Sequence, residues 1–130
     1  MRFLGIVVAA ASLVFIAGCG TTVQPIYNVQ SAPITAPGGK TMSMTEVQQA
    51  ILRAGSQLGW QMQPERPGRI SGRLALRTHL AVVDIEHDTK SYSIKYRDST
   101  NLDARDGMIH RNYNGWIQNL EKAIRVQTSI

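Results

Sequence analysis

Four stretches of two-residue alternation, crowded between Trp60 and Arg97 and separated by turn signals, constrain this chain more than any other feature. Trp60, Met62 and Pro64 alternate with Gln61, Gln63 and Glu65, and Arg66-Pro67-Gly68-Arg69 then reads as a turn. In the second stretch Ile70, Gly72, Leu74 and Leu76 share one side, with Arg69, Arg73 and Arg77 on the other. In the third, Ala81, Val83 and Ile85 oppose Asp84 and Glu86. Asp88-Thr89-Lys90 is the next turn signal, after which Tyr92, Ile94 and Tyr96 oppose Ser93, Lys95 and Arg97. Side chains alternate across a strand, so every stretch has one apolar and one polar face. The order predicts an antiparallel meander of three to four strands with a single dry face.

A dry face needs cover, and helical periodicity appears on both flanks. Ser43-Met44-Thr45-Glu46 has the spacing of a capping box, in which serine oxygen and glutamate carboxylate satisfy free amides at a helix start. Val47, Ile51, Ala54 and Leu58 then form an apolar stripe, Gln48, Gln49, Arg53 and Gln57 face water, and Gly59 closes the helix. Past a polar connection from Arg97 to Asp106, Ile109, Tyr113, Trp116, Ile117, Leu120 and Ile124 mark a second amphipathic helix. Arg125 suits its carboxyl end, and Val126 to Ile130 read as a fraying tail. Gly115 within that pattern costs about 1 kcal/mol against alanine, which points to close packing on the sheet. The expected class is α+β: one amphipathic helix, the meander, and a C-terminal helix on one face of the sheet, all within residues 42–130.

The amino-terminal stretch has a different character. Arg2 precedes an apolar run from Phe3 to Phe15 broken only by Ser12, then Ile16-Ala17-Gly18 and the single cysteine, Cys19. The run is shorter than the ~20 apolar residues of a spanning helix and has the three parts of an export signal. Ile16-Ala17-Gly18-Cys19 closely resembles the lipobox of bacterial lipoproteins. That resemblance implies diacylglycerol on the Cys19 thiol, removal of residues 1–18 and acylation of the new amino group. One acyl chain binds a bilayer only marginally, at about 0.8 kcal/mol per buried methylene, whereas three anchor it for good. Gly20 follows the cysteine where an aspartate would resemble an inner-membrane retention signal, so the expected address is the outer membrane, facing the periplasm. Residues 19–41, with Pro25, Pro33, Pro37, Gly38 and Gly39, read as a flexible tether reaching ~25 Å as a coil and up to ~60 Å if extended. A short edge strand around Val23, Ile26 and Tyr27 is the competing expectation.

Composition removes several functional classes. An acylated Cys19 leaves no thiol for a disulfide, a thiolate metal site or a nucleophile. His79, His87 and His110 lack the paired spacing of a zinc site, so neither metal nor cofactor is expected. Lys and Arg number 14 against 9 Asp and Glu, a net +5, which favours anionic headgroups or acidic glycans. An exported chain rarely meets nucleic acid, and none is expected as a partner.

Two residue sets qualify as candidate sites. Arg69, Arg73, Arg77, Lys95 and Arg97, with Asp84 and Glu86 between them, form either an anion-binding face or a solvated stripe of compensating charges. Tyr96, Ser99, Asn101, His110, Tyr113, Asn114 and Trp116 form the other set: His110 and Asn114 are four apart on one helix face, while Ser99 and Asn101 leave the last strand. These side chains either hydrogen-bond one another into a lock, or line a shallow pocket walled by Tyr96, Tyr113 and Trp116 for a sugar or peptide. The run from Tyr92 to Leu102, with Ile109 to Ile117, also resembles small proteobacterial lipoproteins, a likeness that implies no activity. The expected role is a non-catalytic binding or accessory module of the envelope with a protein or glycan partner. The alternatives are a purely structural surface lipoprotein and a hydrolase using Ser99 and His110 with Asp98 or Asp103, although no nucleophile elbow surrounds the serine.

Overall fold

The computed structural model describes residues 22–130; the expected leader, the lipobox-like stretch and Cys19 lie outside the described residues. Helix α1 (Met44–Gln57) begins at the predicted cap: the Ser43 hydroxyl oxygen accepts from the Glu46 amide at 3.1 Å, while the Glu46 carboxylate, expected on a backbone amide, instead accepts from the Ser43 hydroxyl at 3.2 Å. It closes with a paired carbonyl lock, Trp60 N to Gly55 O at 2.9 Å and Gly59 N to Ser56 O at 3.2 Å, made possible by Gly59 at φ 86°. Leu58, expected on the inner stripe, is instead the exposed cap residue, and Ala50 and Gly55 take inner positions.

Strands β3 (Gln61–Arg66), β4 (Arg69–Leu76), β5 (His79–His87) and β6 (Ser91–Thr100) form the expected antiparallel meander. Pro64 is tolerated because β3 is an edge strand, where a missing N–H removes no ladder bond. At the β5–β6 turn, Asp88 Oδ1 accepts from the Lys90 and Ser91 amides at 2.7 and 2.8 Å. These two bonds, the Lys90 amide first, hold the Asp88 carboxyl below its ordinary range. Arg77, expected on the outward face of β4, lies beyond the end of that strand, in the turn before β5, at φ 55°.

The sheet has a fifth strand. Residues 23–33, expected within a flexible tether, carry strands β1 (Val23–Pro25) and β2 (Val29–Pro33), and β2 pairs antiparallel with β6 to give the order β2-β6-β5-β4-β3. Ser31 at φ 49° breaks the register between Val29 and Ala32. The bulge lets two residues three apart both pack on the core, so no two-residue alternation marks this strand. β1 pairs with β7 (Met108–His110), a second, two-stranded sheet. Ile109 therefore belongs to a strand, and helix α2 (Arg111–Thr128) starts two residues later than its apolar pattern suggests. Its far end does not fray: Gln127 and Thr128 are buried and helical.

Both helices supply the core with their inner faces: Val47, Ile51 and Ala54 from α1, and Tyr113, Ile117, Leu120 and Ile124 from α2, against Ile70, Val83, Ile85 and Ile94 of the sheet. The glycine that permits close approach is Gly55, where an added Cβ would sit 2.5 Å from Met62 Sδ; the same sulfur lies 3.2 Å from a Cβ built on Gly72. Met62 is thus sandwiched between two glycines. A Cβ at Gly115 meets nothing within 4 Å, so tight packing, the expected reason for that glycine, is not the reason.

These environments predict opposite outcomes for one substitution. Gly115→Ala should raise stability in urea unfolding by up to about 1 kcal/mol, the helix-propensity difference. Gly55→Ala should lower it slightly, by about 1 kcal/mol, because the half-buried Met62 side chain must give up its place between the two glycines.

Candidate functional site

The polar set on β6 and α2 does not converge on one point. Asn114, buried within the first turns of α2, accepts from the Tyr27 amide at 2.9 Å and donates to the Pro25 carbonyl at 2.9 Å and Gln24 Oε1 at 3.4 Å. Its amide holds the link between β1 and β2 against the helix. His110 is the N-cap of α2, its Nδ1 accepting from the Asn112 amide at 3.1 Å. The Ser99 hydroxyl pairs with the Tyr96 hydroxyl at 2.8 Å. Asn101, at φ 57°, donates to Thr78 Oγ1 at 2.8 Å, and its carbonyl lies 2.7 Å from His79 Nδ1. A residue absent from the expected set completes the pattern: Asn28 Oδ1 accepts from the Tyr96 amide at 2.9 Å. Asn114 and Asn28 together fasten the amino-terminal segment to a helix and a strand distant in sequence.

The aromatic members separate as well. Tyr113 is fully buried and meets Tyr96 edge-on at 5.6 Å and 76°, so it is core rather than a pocket wall. Its hydroxyl has no hydrogen-bond partner among the described residues, and burial pushes its ionisation upward. Trp116 is half-buried, tilted against His79 at 6.4 Å, and borders an open depression of about 410 Å³ with Gln24, Asn112, Asn114 and Asn119.

On the outward face of the sheet, charge is compensated. Arg69 reaches Glu65, Asp84 and Glu86 at 3.1, 3.1 and 3.5 Å; Arg97 reaches Glu65 and Asp84 at 3.3 and 3.4 Å; Lys95 reaches Glu86 at 3.5 Å. Three cations thus face three carboxylates, Glu65 joining from β3. Partial desolvation would raise the Glu65 carboxyl, but hydrogen bonds from Arg69 and Arg97 outweigh it and hold the group below its ordinary value. Arg73 lies beside Gln61 and Val82 across the neighbouring strands. Exposed pairs of this kind contribute about 0.2–1 kcal/mol each, and a network with no net charge is a poor anion trap.

A groove that sequence spacing did not indicate lies at the opposite end of the sheet. Met44, Gln48, Pro64, Arg66, Gly68 and His87 enclose about 340 Å³ where α1 starts above the β3–β4 turn, beside a second concavity of about 510 Å³ reaching Asp88 and Ser93. His87 continues the inward series Ala81, Val83, Ile85, and is only 8% exposed; its Nε2 has no hydrogen-bond partner among the described residues. Extending the two-residue parity of β5 by one step would have placed it. Among the described residues no cluster of His, Cys, Asp and Glu could hold a metal ion, and no helix is long and apolar enough to cross a membrane.

The class is an α+β domain with two helices covering one face of a five-stranded antiparallel sheet. Searches among protein-family models, curated proteins and solved structures find no match to this chain.

Replacing Asn114 removes the partner of a part-buried amide and a part-buried carbonyl at once. Asn114→Ala should lower stability by about 2–4 kcal/mol, and hydrogen exchange should quicken selectively at Tyr27 and in β1 and β2. A second expectation concerns alkali. Tyr92, whose hydroxyl donates to the Glu121 carbonyl at 3.3 Å, is pushed up to about 12, by burial first and the Glu121 charge second. Tyr27 donates to Glu121 Oε2 at 2.6 Å and is raised by that bond first and by burial second. The folded protein keeps these protons where the unfolded chain, titrating at 10.0, releases them. Stability should be whole below pH ~10 and fall as pH climbs toward ~12. In denaturant melts across that window Tyr92→Phe should flatten the decline.

Proposed function

We propose that this chain is a lipid-anchored protein of the bacterial envelope whose domain acts by binding rather than by catalysis. The observation that carries the reading is the apolar run Phe3 to Phe15 followed by Ile16-Ala17-Gly18 and the only cysteine. The domain's chemistry agrees with it. Ser99 and His110 are each committed elsewhere, the serine to Tyr96 and the imidazole to the first turn of α2, and no hydrogen bond joins them. The geometry therefore adds no support for a hydrolase built on this particular pair. The groove beside His87 offers an apolar floor of Met44 and Pro64 with the exposed guanidinium of Arg66 at its rim, suited to an extended segment of an envelope protein.

Mass spectrometry of the protein purified from membranes should show an amino terminus at Cys19 carrying diacylglycerol and an amide-linked acyl chain. Cys19→Ser should release the domain from the membrane fraction. An unmodified thiol on Cys19, or an intact leader, would refute the anchoring. Photocrosslinking in intact cells from Gln48 or Arg66 should capture a discrete envelope protein; adducts no more abundant than those formed from Lys122, on the exposed side of α2, would refute the groove as the binding surface.

A further inference from the structure

The anchor proposed above and the observed strands together determine where the domain stands. The first described residue, Thr22, is fixed by its carbonyl, which accepts from the Arg111 amide at 2.7 Å, and β1 follows at once. Only Gly20 and Thr21 separate this fixed point from Cys19. Covalent geometry limits the span from Cys19 to Thr22 to about 10 Å, however those residues are arranged. Most of the length expected of a tether is consumed by β1 and β2, so the acyl chains cannot lie far from the β1–β7 edge.

From this we infer that the domain is held flush on the lipid headgroup layer, with the β1–β7 ribbon and the loop from Asp103 to Gly107 facing the membrane. The loop is built to protrude: Arg105 and Met108 exchange backbone hydrogen bonds at 3.0 and 2.9 Å around Asp106 and Gly107, at φ 53° and 75°, a tight two-residue turn. Ala104, Arg105 and Asp106 are exposed and border a concavity of about 540 Å³ beside Val23. Charge does not drive the contact. Arg105 and Arg111 are matched by Asp103 and Asp106, all exposed, so the short covalent link sets the orientation.

The opposite end is thereby presented outward. Asn101 touches Thr78 and His79 at the membrane-facing end of β5, whereas His87, at its other end, borders the groove. The strand runs from His79 to His87, and at about 3.3 Å per residue the groove stands roughly 25 Å further from the lipid.

The inference rests on acylation of Cys19, and its test separates the two. The acylated full chain is reconstituted in phosphatidylethanolamine–phosphatidylglycerol vesicles, with a fluorophore on Ala104→Cys or on Lys90→Cys, the added thiol being the only reactive one. Flotation with the vesicles reads the anchor, and quenching by headgroup-labelled lipid reads the orientation. Quenching should be several-fold stronger at position 104 than at 90, should persist in phosphatidylcholine vesicles and high salt, and should fall to the level at 90 when a Gly/Ser spacer of about a dozen residues, roughly 19 Å of coil, is inserted after Gly20. Loss of flotation overturns anchor and orientation together. Flotation with equal quenching at both positions, or strong quenching at 104 that survives the spacer, overturns the orientation alone.

Discussion

One side-chain amide, that of Asn114, joins the two halves of this structure. The apolar residues of the amino-terminal segment follow no two-residue period, and Pro25 and Pro33 deny it two backbone donors. It is held because Asn114 answers both a donor and an acceptor of its backbone, Tyr27 N–H and Pro25 C=O, from a helix some ninety residues later in the chain. With that segment in place, Val29 closes the core beside Ile94 and Tyr27 reaches Glu121. Asn114 is itself buried, and its amide answers a donor and an acceptor of one short segment together, so these bonds support one another.

The rest follows from a sheet with one apolar face. Two amphipathic helices cover that face, and the wet face is left to an alternation of three cations and three carboxylates. Compensation suits such a surface: like charges on neighbouring strands would repel, and a neutral network gives an exposed sheet solubility without a strong field. The edge strands β2 and β3 each carry a proline and a register break, which hinder pairing with another chain.

Among the described residues two buried side-chain atoms lack a hydrogen-bond partner, and they lie apart. The Tyr113 hydroxyl sits in the core near the membrane-facing end proposed above, and His87 Nε2 lies beside the groove at the other. The proposed attachment at the β1–β7 edge and the proposed recognition at the start of α1 thus fall at opposite ends of the five-stranded sheet.

What the amino acids announce on their own is what local rules govern. The capping serine and Gly59 bound α1, the two-residue parity lays out β3 to β6 with the correct faces except at Leu76, which ends β4 exposed rather than inward, and the pairing of Asp84 and Glu86 between basic strands follows from the meander order. The resemblance of Ile16-Ala17-Gly18-Cys19 to a lipobox is equally local, carried by four consecutive residues. Tertiary structure decided the remainder. Residues 23–33 look like a linker because a bulge at Ser31 erases their period and their stabilising contacts come from Asn114, Ser93 and Ile94, none of them local. Ser99, Asn101, His110 and Asn114 look like one cluster because spacing shows which residues share a helix face or a strand end. Spacing cannot show that each has a nearer partner in Tyr96, Thr78, Asn112 or Tyr27. Hydrogen bonds are satisfied by whichever group the fold brings within about 3 Å, and that choice is made only when distant segments meet.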